Sequence, residues 1–317
     1  MDRRAFLSLG LIAPFALNAK TLRAEVGVDY TAEDPSLVAS FAKDPNNPEM
    51  ILWQLPDVNT PQKMAYVMKT RSNRTIVFDG GWNKDVPYLL DLIKTECGGK
   101  VDAWFLTHAH IDHCGAIAEI AQNHQDEIEI ENLYYNFPSQ EWLDKTEPGS
   151  AGETKIIFDG LAAYKGSKRA PKVNEIFDFD PLTIQCLNDF DESLTMNSIN
   201  NSSICFRLDV AGKSILILGD LGREGGDRVV KLQGEDVLNC DFCQMAHHGQ
   251  SGVKREFYEI VKPKYCLWPT PRWLWHVDSG KGYGSGPWKT LETREWMDQL
   301  EAERHFVMKD GLIKILF

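Results

Sequence analysis

Thr107-His108-Ala109-His110-Ile111-Asp112-His113 places four metal-ligand side chains within six residues, directly after the apolar run 101–106. Alternate positions of an extended chain project to one side, so His108 and His110 are set to grip one ion. Asp112 and His113, one step on, reach a second. Two cations a few ångströms apart lower the pKa of a shared water, so a hydroxide held between them can attack while they stabilise the oxygen that gains charge. No Ser or Cys nucleophile is needed. Two further ligand sites close other apolar runs: Asp220 follows 214–219, and His247-His248-Gly249 follows 241–245. A His-rich surface turn without an ion does not account for ligands recurring at three strand ends.

Such residues need elements that deliver strand ends to one place. The short apolar or alternating runs 50–55, 64–69 and 74–78 read as strands, closed by Asp79-Gly80-Gly81. Val86, Leu89, Leu90 and Ile93 recur at helical spacing, predicting a helix over 86–97 stopped by Gly98-Gly99. Helices are also predicted over 112–124, 153–165 and 291–300, the second within a polar stretch that covers one face. Strands are predicted over 101–106, 128–137, 182–187, 203–210, 214–218, 238–245 and 264–267, with a hairpin turn at 210–213. With no repeat period and no low-complexity linker, one domain is expected over 50–317, preceded by an extension over 25–49.

Residues 1–24 combine Asp2, Arg3 and Arg4, an apolar run over 5–17, and small residues at Ala19 and Ala24, the pattern of an export signal. Arg3-Arg4 resembles a twin-arginine signal. The run is too short for a comfortable membrane span, so the expected location is periplasmic or extracellular. Against 34 Lys and Arg the chain of 317 residues carries 46 acidic residues, a formal charge of −12, which disfavours a broad grip on duplex nucleic acid. Seven cysteines imply no disulfide scaffold and at least one free thiol.

The His-x-His-x-Asp-His motif, Asp220 and the late His pair resemble the metallo-β-lactamase fold superfamily. Asn200-Asn201-Ser202-Ser203 leading to Gly219-Asp220 and His247-His248-Gly249 is similar to the hydrolase domain of ComEC-type competence proteins and to phosphorylcholine esterases. The resemblance implies a mixed α/β fold, a four-layer αββα sandwich. It also implies two divalent ions: His108 and His110 on one, Asp112 and His113 on the other, Asp220 between them. One of His247 and His248 completes the second site, with His248 the expected ligand and His247 the expected partner of substrate, and Asp79 orients a ligating His from behind. One departure stands out, because many members carry a further His ahead of the bridging Asp, whereas none occurs between His124 and His247. Asn200 or Asn201 stands there instead. An amide oxygen is a poorer zinc ligand than imidazole, so zinc is expected with manganese as the alternative.

Other signals read as structure. Cys240 and Cys243 on one strand would point to opposite faces, Cys114 reads as packing, and His124 and His305 as surface or capping residues. Trp273 and Trp275, with Arg272 and His276, are candidates to line a pocket for an apolar, sugar-like or quaternary-ammonium group. The expected activity is binuclear hydrolysis of a phosphoester, phosphodiesters foremost, with Asp112, Asp220 and His247 in the chemistry and a small or polar-head substrate. Lactone or β-lactam hydrolysis by the same hydroxide is the alternative, and a non-catalytic exported binding protein the third reading. A diiron oxidoreductase of this fold usually carries an acidic residue where His110 stands, together with a flavin domain, and the sequence has neither.

Overall fold

Alternation along the strands assigns each residue to one of two cores. In the runs 50–54, 65–70 and 75–79, Met50, Leu52, Tyr66, Met68, Ile76 and Phe78 join one buried cluster. Trp53, Ala65, Val67 and Val77 between them join another. The period of two that makes such a strand therefore demands a layer on both faces.

The computed structural model describes residues 37–58 and 62–317, so the signal-like segment 1–24 lies outside the described residues. In chain order the strands are β1 (Val38–Ser40), β2 (Met50–Gln54), β3 (Ala65–Thr70), β4 (Thr75–Asp79), β5 (Lys100–Val101) and β6 (Ala103–Phe105). They continue with β7 (Glu129–Ile130), β8 (Asn132–Tyr134), β9 (Ser167–Arg169), β10 (Ile176–Phe179), β11 (Leu182–Cys186) and β12 (Phe206–Val210). The last are β13 (Lys213–Ile217), β14 (Phe242–Gln244), β15 (Tyr265–Trp268), β16 (Arg304–Val307) and β17 (Ile313–Leu316). One sheet has the order β1-β17-β2-β3-β4-β6-β8-β9, the other β10-β11-β12-β13-β14-β15-β16, and β5 pairs with β7 in a small third sheet. β1 falls within the segment 25–49, so part of that extension is an edge strand of the first sheet, parallel to β17.

Between the two large sheets lies the first cluster. There Phe78 and Phe105 stack with centroids 5.1 Å apart, and Phe206 of the second sheet meets Phe105 edge-on at 5.1 Å. Burial of each such ring contributes about 1.5–3 kcal/mol. Outside the first sheet, helices Val86–Cys97, Ile111–Asn123 and Ala151–Ala163 close the second cluster. Outside the second sheet, Val229, Phe257 and Met297 bring helices Arg223–Gln233, Arg255–Val261 and Thr290–Gln299 onto Leu216, Cys243 and Trp268. The layers run helix, sheet, sheet, helix: the expected αββα sandwich.

Some boundaries differ from the sequence reading. The run 101–106 is two strands because Asp102, buried, turns its carboxylate to the Thr75 amide and to Arg74, breaking the run. The run 238–245 begins as the short helix Glu235–Leu238, and only Phe242–Gln244 is strand. Cys240 therefore precedes the strand, the alternation argument does not reach it, and both Cys240 and Cys243 pack in the same outer core. All seven cysteines are free. The predicted hairpin is present, with Ala211 and Gly212 at φ 53° and 71° between β12 and β13.

Within this scaffold β4 runs parallel to β6, and β13, β14 and β15 run parallel to one another. Parallel strands present their carboxyl ends at a common edge, where ligand sites of open α/β sheets gather. Asp79, the motif 107–113, Asp220, His247-His248 and Pro269-Thr270 all stand at such ends.

Candidate metal centre

His110 caps helix Ile111–Asn123 with extended backbone, so the motif passes from strand to helix between His108 and Asp112. The extended part aims His108 Nε2 and His110 Nδ1 at a common point 3.0 Å apart. Asp112 and His113 lie in the first helical turn. Asp220 follows β13 through Gly219, whose φ is +57° and whose added Cβ would lie 2.7 Å from Thr107 Cβ. Only glycine fits that left-handed, close-packed position, so the turn brings the Asp220 carboxylate to the first motif.

Asp220 is buried at the centre of the cluster. Its Oδ1 lies 3.1 Å from His113 Nε2; its Oδ2 lies 3.4 Å from His248 Nε2 and 3.8 Å from both His108 and His247 Nε2. His248 Nε2 is also 3.2 Å from Asp112 Oδ2. Two overlapping sets have donor atoms within 4.8 Å of one another: His108, His113 and Asp220, and Asp112, His113 and His248.

Outer partners fix which nitrogen of each ring looks inward. Asp79 ends β4 at φ +55°; its Oδ1 accepts from the Thr107 amide and its Oδ2 from Thr107 Oγ1 and from His113 Nδ1, the last at 2.6 Å. The one hydroxyl hydrogen of Thr107 is used there, so its oxygen accepts from His108 Nδ1 at 3.0 Å. His248 Nδ1 donates to the Pro269 carbonyl at 2.9 Å, and Thr270 Oγ1 donates to the His248 carbonyl. Each of the three rings thus turns Nε2 inward, the arrangement in which a ligating imidazole is held by a second hydrogen bond.

The donor set fits a cation. Asp220 Oδ1 is buried with no hydrogen-bond donor in bonding geometry, a loss of about 1–3 kcal/mol or more for a charged group unless positive charge sits beside it. In the metal-free chain protons fill that role. Burial works against a charged His113, but the Asp220 and Asp79 carboxylates hold its pKa well above the usual imidazole value. His248 behaves alike: burial opposes the charge, yet Asp220 and Asp112 raise its pKa to about 9. Asp112 and Asp220 stay below the usual carboxylate range despite burial, through His248 and His113. His108 and His110 are pushed down by burial and are neutral, ready to ligate.

His247 is partly open, its side chain 19% exposed against 0% for His248, and the pair takes consecutive φ of 52° and 54°. Asn200 is buried with Nδ2 on Asn197 Oδ1 and Oδ1 unpartnered, whereas Asn201 is committed to Met196, Glu224 and the Gly225 amide. Cys114 donates to the His108 carbonyl, consistent with packing. His124 caps its helix beside Glu127, and His305 accepts from Trp268 Nε1. In the aromatic segment, Trp275 is partly buried against the outer core, with Arg294 4.0 Å over its face and Trp268 in T-shaped contact at 5.2 Å. Trp273 packs on Trp288 at 4.6 Å, His276 lies 6.0 Å from Tyr283, and Arg272 begins helix Arg272–Trp275 with its amide on Asp57. Thr107 and Gln62 were missed by the sequence reading. A polar residue ending a buried strand signals Thr107; nothing local signals Gln62.

The family model described as the metallo-beta-lactamase superfamily matches residues 59–265, most of the chain and all of the cluster. The chain belongs to this superfamily. Members usually bind two metal ions, and the His/Asp groups above are this chain's candidates for them. ComE operon protein 3 of Bacillus subtilis (strain 168) is 24% identical over 170 residues, 53% of this chain; the chain spans a fifth of that relative's length. Among solved structures, the metallo-beta-lactamase fold protein YhfI of Bacillus subtilis aligns with a TM-score of 0.50 at 13% identity, over 82% of this chain and 98% of that one. CmlA, a diiron beta-hydroxylase of Streptomyces venezuelae, aligns at 0.52 and 11% identity, over 86% and 55%. At these identities the likeness is one of fold.

Proposed function

We propose that this protein is an exported binuclear metallohydrolase of phosphoesters, with phosphodiesters as its main substrates. The observation that carries the two-ion reading is Asp220: one buried carboxylate, reached by the inward Nε2 atoms of three ordered imidazoles, with an unpartnered oxygen. His108 and His110 would hold one ion, Asp112, His113 and His248 the other, with Asp220 between. When bound, two divalent ions activate water and polarise the group under attack.

The chain's own residues do the rest. Asp79 and Thr107 hold the ligating rings in one tautomer, and Gly219 sets the height of Asp220. His247, the more open member of its pair, donates to a nonbridging phosphoryl oxygen or to the departing oxygen. Asn200 stands where an imidazole is usual, and a weaker amide donor leaves the first ion more open to a phosphoryl oxygen; this supports a phosphoester over a lactam. It also suits manganese as well as zinc. The acidic surface favours small or polar-head substrates over duplex DNA.

The test sets metal-loaded and chelated protein side by side on bis-p-nitrophenyl phosphate, a phosphomonoester, duplex DNA, a lactone and a chromogenic lactam. Phosphodiester cleavage abolished by chelation is expected. Ready cleavage of the lactone or lactam with every phosphoester intact would replace this reading by carbonyl hydrolysis. No helix among the described residues is long and apolar enough to cross a membrane. Export is tested by amino-terminal sequencing of the envelope or secreted fraction, expected to begin near Lys20 or Glu25; a mature chain retaining Met1 in the cytosol contradicts it.

A further inference from the structure

Three of the inward-facing groups have an outer partner already described: His108 has Thr107, His113 has Asp79, and His248 has the Pro269 carbonyl. Asp112 has one too. Gln62 Nε2 lies 3.1 Å from Asp112 Oδ2 and donates to it, and Gln62 Oε1 accepts from Gln250 Nε2 at 3.1 Å. The orientation of the amide follows from the partners. A carboxylate only accepts, so nitrogen must face Asp112, and the oxygen is left for Gln250. A flipped amide would set two acceptors together at one end and two donors at the other.

The arm that carries Gln62 is fixed. Its carbonyl accepts from Trp82 Nε1 at 2.6 Å, and Lys63, the next residue, is buried with its ammonium 2.5 Å from Asp85. Asp85 in turn accepts from the Trp82 amide, and the Met64 amide donates to the Asp112 carbonyl at 3.1 Å. The segment 62–64 thus holds Asp112 by both backbone and side chain. Gln250 belongs to the other half of the sandwich. Its amide donates to the His247 carbonyl at 2.9 Å, so it rides on the turn that presents His248.

We propose that Gln62 is a positioning residue that aims the Asp112 carboxylate at the second ion, and that the Gln62–Gln250 bond couples Asp112 to the His247-His248 turn of the other half. The proposal rests on the two-ion reading. A neutral amide suits the task. Its N–H to a carboxylate is a charge-assisted bond, stronger than a neutral pair, yet it brings no charge that would compete with the cation, as a Lys or Arg there would. Loss of such an outer partner typically costs 10–100-fold in metal affinity.

The experiment titrates zinc into metal-free wild type, Gln62→Met, Gln62→Glu and Gln250→Ala, followed by calorimetry, with circular dichroism of each metal-free protein. Gln62→Met keeps the length and removes the donor, while Gln62→Glu sets a second carboxylate against Asp112. Both are expected to bind the first zinc as wild type does and the second about 10–100-fold more weakly, with Gln62→Glu the weaker. Gln250→Ala is expected to weaken the second zinc severalfold. Wild-type affinity for both ions in Gln62→Met and Gln62→Glu overturns the role of Gln62 and leaves the metal reading standing, and equal loss at both ions in these variants overturns it as well. An unaltered Gln250→Ala removes the coupling between Asp112 and the His247-His248 turn. A wild-type chain that takes no second zinc overturns the two-ion reading and the positioning role with it.

Discussion

Asp220 and Cys243 separate chemistry from packing at the scale of single residues. Both are buried and both belong to the second sheet's contribution, but Asp220 faces three imidazoles and Cys243 faces an apolar core. In the proposed two-ion site Asp220→Asn removes the charge shared by both cations, so metal affinity and hydrolysis rate should fall by more than the roughly hundredfold that loss of an outer partner costs. Cys243→Ala loses a small side chain and should lower stability by about 1 kcal/mol with full metal content. Elemental analysis and initial rates on the two purified variants make the comparison; equal losses would mean that Asp220 is not the bridging group. The residues found in the sequence are those whose partners lie in a short motif or at the end of an apolar run. Gln62 was not legible because its partner Asp112 is 50 positions away and its neighbours in sequence carry no pattern.

Among elements, the turn His247–Gly249 depends most on a particular backbone. Gly249 has φ +77°, and a Cβ there would meet Trp268 Cε3 and Cζ3 at 2.4 Å. Gly212, in the β12–β13 hairpin, has φ +71° with nothing within 4 Å. Gly212→Ala should therefore cost only the left-handed penalty of about 1–2 kcal/mol and leave metal binding unchanged. Gly249→Ala adds overpacking of about 1–3 kcal/mol and pushes His248 out of line, so thermal melts should place it lower and metal content should drop. Similar melts with intact metal content in both would show that the Trp268 contact does not set the turn. Elements with two buried faces, such as β3 and β4, were readable as short, nearly continuous apolar runs bounded by turn residues. β9 was not, because all three of its residues, Ser167–Arg169, are exposed and carry no hydrophobic pattern. β7 and β8 read as one run because Glu131, between them, interrupts an otherwise strand-like segment by a single residue.

For the whole molecule, the proposed cations would compete with protons for one cluster of carboxylates and imidazoles. In the metal-free chain His248 has its pKa raised from 6.5 to about 9, so its stabilising contribution is full below pH 6.5 and is lost as pH rises through about 9. Asp112 and Asp220, held low, contribute above their unfolded values and lose that contribution only in acid. Between pH 6.5 and 9 the metal-free melting temperature should therefore fall. Zinc must displace the same protons, so the gap between metal-loaded and metal-free melts should widen over that range. A metal-free melting temperature that rises over the same window would contradict this linkage.

The layered architecture was legible through the resemblance that the His-x-His-x-Asp-His motif carries, while the strands and helices themselves were read one by one from apolar runs and helical spacing. The meeting of the ligands was not a property of any single segment; it depends on β4, β6, β13, β14 and β15 presenting their carboxyl ends at one edge. The most direct measurement of the two-ion hydrolase is the rate of bis-p-nitrophenyl phosphate hydrolysis as metal-free protein is titrated with zinc or, in parallel, manganese. The rate should climb to a plateau at two equivalents per chain and return to zero on chelation. A plateau at one equivalent, or a rate indifferent to both metal and chelator, would contradict the account.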